Sequence, residues 1–231
     1  MSEQNRVEAV ERALSLLDLF RNGEQNLSLA ALSQRSGLYK STILRLLGSL
    51  ERFGYILRGH DGTYRLGPAV WQLGLACRSS YDLESTIRPH LEALAAETGE
   101  TAAFFIRSGG QRLCLYRINS RKPIRHHLDE GALLPLEQGA SGRTIMAFSG
   151  AEGEPYDSIR ARGYHISFGE RDPDVMAIGV PIFGASAELL GVLSVTALRR
   201  RFEGEPAEAA LALLQKHAAE LNRDHIPKTG I

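Results

Sequence analysis

LSLAALSQRSGLYKSTILRLLGSLERFGYILRGHDGTYRLG, residues 27–67, is the stretch whose reading decides the fold of the first part of the chain. Ser28 stands where a helix N-cap belongs, its hydroxyl placed to accept from the free backbone N–H groups of a short helix over 29–35. Gly37 supplies the turn that follows. From Lys40 to Phe53 a further helix puts Ile43, Leu46, Leu47 and Leu50 on one stripe and Thr42, Arg45, Ser49 and Arg52 on the opposite one. One face packs; the other stays polar and cationic. Two apolar runs come next, 55–57 and 63–66, joined through RGHDG, where Asp61-Gly62 favours a tight hairpin. Arg58, His60 and Arg65 then lie at the tip or base of a wing.

Short helix, glycine turn, second helix and hairpin is the order that a winged helix-turn-helix requires, with the N-terminal side chains of the second helix reaching base edges in the major groove. Those side chains are Tyr39, Lys40, Ser41, Thr42 and Arg45. The planar fork of Arg45 suits a bidentate contact with guanine, whereas Lys40, Ser41 and Thr42 suit phosphates. Ser28, Ser49, Arg58 and Arg65 complete the candidate DNA-contacting set. Across Arg35–Arg65 the cations Arg35, Lys40, Arg45, Arg52, Arg58 and Arg65 meet only Glu51 and Asp61, although the whole chain balances 27 basic against 27 acidic residues. Such a local excess fits a polyanion. The other use of a winged helix is a protein contact, which would lack salt-dependent DNA affinity.

Upstream, Val7, Val10, Leu14 and Leu17 recur at helical spacing and predict an amphipathic helix over 7–20. At 231 residues and 43% hydrophobic content, the chain has room for two packed domains. It has no apolar run of about 18 residues, and its start, MSEQNRVEAVER, lacks the features of a secretory signal, so a cytoplasmic protein is expected. Cys77 and Cys114 sit in apolar sequence without CxxC spacing. They read as buried reduced thiols, with neither a disulfide nor a structural zinc expected.

Between 67 and 99 two apolar stripes run in succession, Val70, Leu73 and Cys77, then Leu83, Ile87, Leu91 and Leu94, with Pro89 kinking the second or sitting in its early turns. Trp71 and Leu75 form either a surface between subunits or a contact within the chain. After Gly99 the texture changes. TAAFFIRSGGQRLCLYRINS predicts two strands around Gly109-Gly110, with Ala103, Phe105, Leu113, Leu115 and Tyr116 as packing candidates. A strand is predicted over 123–128, a loop at DEGALLPLEQG, and helices over 140–148 and 156–162. GYHISFG, VMAIGVPIF and LLGVLSVTAL read as strands, the last two forming a hairpin near GASAE. A closing helix over 205–222 has Ala209, Leu213, Leu214 and Leu221 among its apolar positions. Antiparallel hairpins flanked by helices predict an α+β sheet rather than a doubly wound nucleotide fold.

The chain carries no P-loop, no GxGxxG after a strand, no HExxH and no GxSxG elbow. A thiol-dependent enzyme would need a reactive cysteine, and Cys114 in an apolar strand does not supply one. His126 and His127 on a predicted strand face opposite sides, against a shared metal site. ASGRT places serine and glycine at a helix start, which can hold an anion through backbone N–H groups.

The chain resembles the isocitrate lyase regulator (IclR) family of bacterial transcription factors over nearly its whole length. The resemblance rests on VERALSLLDLF, on LSLAALSQRSGLYKSTILRLLGSLERFGYI with the wing GTYRLG, on RPHLEALAAETGETAAF, and on LLPLEQGASGRTIMAF followed by GVPIF and LLGVLSVTAL. It implies a winged helix-turn-helix over 1–67, a linker helix over 68–84 and a GAF-like effector-binding domain over 85–231. It also implies a homodimer or homotetramer on palindromic operator DNA, no cofactor or membrane, and control, mostly repression, of a catabolic operon by an organic or aromatic acid. By position, its effector pocket falls on Leu134, Ala140, Ser141, Ser167, Ala177, Ser194 and Thr196. Ser194 and Thr196, two apart on a strand, point to one face. This chain departs from the family pattern at Glu137 (commonly His), Ser167 (commonly acidic), Asp174 (commonly Gly) and Tyr39 (often Pro), and has a shorter segment between Ser149 and Gly163.

Overall fold

The computed structural model describes residues 6–21, 24–80, 83–126 and 128–223, with the side chains of 77–80 outside that description. The chain divides into two compact units, 1–80 and 81–231. In the first unit the elements are α1 (Glu8–Asp18), α2 (Leu29–Ser36), α3 (Lys40–Arg52), β1 (Ile56–Arg58), β2 (Tyr64–Leu66) and α4 (Pro68–Ser80). Ser28 caps α2 by accepting from the Ala31 N–H at 3.2 Å, and Gly37 closes it in the left-handed region at φ +70°. Ile43, Leu47 and Leu50 of α3 pack with Leu16, Phe20, Leu32, Ile56 and Tyr64. β1 and β2 form the antiparallel wing, and Leu27 adds a rung to it by exchanging two backbone hydrogen bonds with Tyr64. Gly67 lies so close to the Gly54 carbonyl that a Cβ would stand 2.1 Å from its oxygen, so the wing's exit requires glycine.

Two stripes read from periodicity are not the ones that pack. Val7, just before α1, and Val10 and Leu14 within it are more than half exposed; Leu16 and Phe20 are buried, with Ala13 and Leu17 half-buried beside them. Residues 13, 16, 17 and 20 form a second helical stripe overlapping the first, and only the position of α3 selects between them. In α4, Leu73 is exposed and Val70 only partly covered. The thiol of Cys77 lies outside the described side chains.

The second unit contains α5 (Leu83–Thr98), β3 (Thr101–Ser108), β4 (Gln111–Ile118), β5 (Leu133–Pro135), α6 (Ala140–Phe148), α7 (Tyr156–Arg162), β6 (His165–Phe168), β7 (Val175–Phe183), β8 (Leu189–Leu198) and α8 (Glu205–Arg223). The strands form one antiparallel sheet in the order β5-β4-β3-β8-β7-β6. Leu83, Ile87, Leu91 and Leu94 of α5 are fully buried and, with Leu214 and Leu221 of α8, cover one sheet face through Phe104, Ile178 and Val195. Pro89 sits inside α5. The other face carries Ala103, Phe105, Cys114 and Val192 against Ile145 of α6. Gly179 lets α6 settle there, since a Cβ would meet the Ala140 backbone at 3.1 Å. No helix among the described residues is long and apolar enough to cross a membrane.

Several expectations need correction here. Residues 123–126 form no strand, and β5 comes instead from the segment read as a loop. Pro123 has no N–H to give a ladder, and the carbonyls of Ile124 and His126 accept from Arg201 and Arg117 at 3.0 and 2.8 Å. The edge of β4 is occupied by Leu133–Pro135, whose proline suits an edge strand. His126 therefore lies in irregular chain, and His127 falls outside the described residues. Leu113 and Leu115 of β4 are half-buried and pack against the core as expected, Arg112 and Arg117 are buried as well, and Ala209 of α8 faces outward, against expectation.

Glu100, buried between α5 and β3, accepts from Arg201 Nε and Nη2 at 2.8 and 2.9 Å and from Lys122 Nζ at 2.6 Å. Burial alone would raise its pKa, but the hydrogen bonds from Arg201 and then Lys122 outweigh it and hold the carboxyl below its ordinary 4.5. A carboxyl with a depressed folded pKa stabilises fully above its unfolded pKa, and that contribution is lost as the pH falls through the folded value. Glu100→Gln is thus expected to lower stability by about 1.5–3 kcal/mol at neutral pH. The gap to the parent should close below pH 4.5. Urea midpoints of both chains across pH check this; a gap independent of pH would refute it.

Candidate functional site

The polar face of α3 is open. Tyr39 is 83% exposed, Lys40, Ser41, Arg45, Ser49 and Arg52 are exposed, and Thr42 is half-buried. Tyr39 occupies the N-cap without a side-chain cap, so the first N–H groups of α3 remain available to an anion beside the Lys40 ammonium. On the wing Arg58 and Arg65 are exposed, with the Arg58 guanidinium 5.8 Å from the Tyr64 ring centre. Asp61 is tied into the turn between the strands. Its carboxylate accepts from Thr63 Oγ1 and N at 2.7 and 3.0 Å, which lowers its pKa and fixes the turn. Ser28 is exposed, but its hydroxyl is engaged as the α2 cap. Arg35, counted in the cationic excess, pairs with Glu24 at 2.8 Å.

In the second unit, sheet register brings distant residues into line. Ser167, Ala177 and Thr196 stand side by side on β6, β7 and β8, and Ser194 sits in the next row opposite Ala103. Leu134 faces Arg112 across β5 and β4. The start of α6, Ala140 and Ser141, closes over them, and all seven line one narrow cavity of about 50 Å³. Ser141, Ser167 and Ser194 are buried. The N–H groups of the first turn of α6 have no intrahelical acceptor and Gly139, the N-cap, has no side chain to cap them, while Glu170 Oε2 accepts from the Gly139 N–H itself.

What sequence reasoning missed is the charge in this cavity. Arg112, 3% exposed, lines it beside Arg117 and Arg171. The Arg112 guanidinium donates through Nη1 to the Gln138 carbonyl and stacks 5.7 Å from the Phe105 ring centre; its Nε has no partner. Gly142 and Gly139 leave it room, since a Cβ at Gly142 would stand 2.0 Å from Nη1. Burial, reinforced by the Arg171 charge, pushes its pKa down to about 10. Among the described residues no carboxylate forms an ion pair with it, although Glu170 and Asp172 line the same cavity and the Glu170 charge partly offsets the shift. The nearby Glu170 is committed elsewhere, accepting from the Gly139 N–H and from Arg143 Nε, each at 2.8 Å. Burial would raise Glu170, but those donors keep it low. The available signal was an arginine at an inward-alternating position of a strand, two residues before Cys114. Cys114 itself is fully buried, and burial raises its thiol to about 11, the opposite of a reactive cysteine.

A winged helix with a cationic recognition face, on one chain with a GAF-like α+β unit, defines a DNA-binding regulator rather than an enzyme. The IclR helix-turn-helix domain matches residues 9–59, and the C-terminal domain of bacterial transcriptional regulators of the IclR type matches 76–156 and 154–223. The chain belongs to the IclR family of transcriptional regulators. It is similar to the regulator KipR of Bacillus subtilis, at 26% identity over 86% of this chain and 89% of that protein. It is equally similar to XynR of Escherichia coli, at 26% over 94% and 96%. Among solved structures, an IclR transcriptional regulator from Silicibacter sp. TM1040 superposes with a TM-score of 0.80 at 26% identity, over 95% of this chain and 97% of that one. An IclR homologue of Microbacterium hydrocarbonoxydans, complexed with 4-hydroxybenzoate, shares the fold at 20% identity and a TM-score of 0.80, over 94% and 98% of the two chains.

Proposed function

We propose that the chain is a carboxylate-responsive regulator, acting mostly as a repressor of a catabolic operon, whose effector occupies the cavity between α6 and the sheet. The observation that carries this reading is Arg112: a buried guanidinium with no carboxylate partner is costly unless a ligand supplies the opposite charge. Beside it stand the buried hydroxyls of Ser141, Ser167 and Ser194, with Thr196 next to them, and the N-terminus of α6. That a relative of the same fold holds 4-hydroxybenzoate supports an acid, and an aromatic one requires the narrow cavity to open. Leu134, Ala140 and Ala177 would supply apolar walls. A thermal-shift screen of small carboxylic acids against their amides tests the class; equal response to both would refute it.

On DNA, Tyr39, Lys40, Ser41, Thr42, Arg45 and Ser49 face the major groove, with Ser28, Arg58 and Arg65 toward the backbone. Exposed Trp71 and Leu75 on α4 support a homodimer reading a palindromic operator, in the division 1–67, 68–84 and 85–231. Effector binding shifts the population of DNA-competent arrangements. Arg45→Ala is expected to weaken operator binding by about 1–3 kcal/mol and relax the preference at one base position. A selected-site library read before and after the substitution checks it, and an unchanged preference would refute the guanine contact.

A further inference from the structure

We infer that His90 and His217 with Glu220 form a binding site for one divalent transition-metal ion of the zinc class, built across α5 and α8 on the side of the sheet away from the cavity. His217 interrupts a buried stripe of α8 that otherwise consists of Ala207, Ala210, Leu214, Ala218 and Leu221. It meets His90 Nδ1 to Nδ1 at 2.8 Å, with the rings edge-on at 86°. Glu220, one turn along α8, brings Oε2 to 3.8 Å from His217 Nδ1 and 3.9 Å from His90 Nδ1. Donor atoms on a tetrahedral zinc with bonds of about 2.0–2.1 Å stand roughly 3.3–3.4 Å apart. The three separations bracket that value, so an ion needs the imidazoles to part by about half an ångström and the Glu220 carboxylate to close by about as much. Two imidazoles and one carboxylate suit zinc, copper, nickel or cobalt, not calcium or magnesium, and leave a position for water.

The outer shell points the same way. An ion on both Nδ1 atoms requires the protons on Nε2. The Nε2 of His217 is buried without a hydrogen-bond partner, and its nearest carboxylate is Glu97 Oε1 at 3.8 Å. Glu97, half-exposed on α5, is thus placed to orient the metal-bearing tautomer as a partner that touches the ligand rather than the ion. The sequence could not reveal the cluster, because His90 and His217 are 127 residues apart and neither lies in a metal-ligand motif.

The test uses the full, untagged chain stripped by a chelator and titrated with ZnCl2 by calorimetry, with CoCl2 as a spectroscopic probe. One ion per chain and the visible bands of low-coordinate cobalt are expected. His90→Gln, at a partly exposed position that keeps the chain folded, should weaken zinc by at least roughly tenfold, and Glu97→Gln, which removes no ligand, by roughly 10–100-fold. Absence of saturable binding would overturn the proposal. So would zinc affinity unchanged in His90→Gln, which would leave the imidazoles as a hydrogen-bonded pair.

Discussion

Arg112→Met is expected to leave operator binding intact, to leave the second unit as stable as the parent or more so, and to abolish the response to a carboxylate effector. The three outcomes have one cause. Arg112 is a buried charge that forms no ion pair among the described residues, so an apolar side chain of similar length removes an unfavourable term and loses one hydrogen bond to the Gln138 carbonyl. In the ligand-bound protein the same guanidinium would face a carboxylate in a site shielded from water, where truncating one partner costs about 2–5 kcal/mol. That corresponds to a loss of affinity of roughly 30-fold or more. Arg112→Lys should fall between, keeping the charge but not the planar fork. Gel shifts with and without effector, alongside urea unfolding, measure all three. A variant that still responds would remove Arg112 from the site; one that unfolds would make it a structural residue.

The second large effect is structural. Phe104 is fully buried at the centre of the sheet, stacked on Tyr116 with ring centres 6.5 Å apart, and its edge lies over Gly191 of β8. Phe104→Ala is expected to destabilise the second unit by about 3–5 kcal/mol, the sum of lost transfer energy and an unfilled cavity. Gly191→Ala fails for the opposite reason. Its Cβ would stand 2.5 Å from both Phe104 Cζ and the Phe105 carbonyl oxygen. Overpacking should cost about 1–3 kcal/mol or more. Combining it with Phe104→Leu relieves only the ring contact, so the double variant should remain destabilised. Urea unfolding followed by circular dichroism decides; full rescue would show that the carbonyl can move.

The recognition helix was legible because its evidence is local. Ser28, Gly37 and the alternation of Ile43, Leu47 and Leu50 with Arg45 and Ser49 are short-range signals of capping, turn and periodicity, and the structure follows them within a residue or two. The helices over 140–148 and 156–162 and the β7–β8 hairpin were legible for the same reason. α1 was legible as a helix but not as a surface. Two overlapping stripes satisfy the helical period, and only a neighbour, α3, decides which is buried. β5 was missed because a three-residue edge strand takes its hydrogen bonds from a partner some twenty residues away, while its own sequence reads as turn.

The cavity shows the division most clearly. Local pattern and family resemblance determined that Ser194 and Thr196 share a face and that α6 begins at Ala140. Register decided the rest. Arg112 and Arg117 are five residues apart on β4 and, on a regular strand, would point to opposite faces. The pairing of β3 with β4 shifts between Phe104 and Phe105, passing from Tyr116 to Cys114 and leaving Leu115 as an extra residue. That bulge turns both arginines into the same cavity. By itself the sequence determined a winged helix-turn-helix and an α+β partner, because caps, turns and hydrophobic periods act over a few residues. Which arginine is buried without an ion pair, and which histidines meet across two helices, depended on one extra residue in a strand and on helix packing, interactions that exist only once the chain has closed on itself.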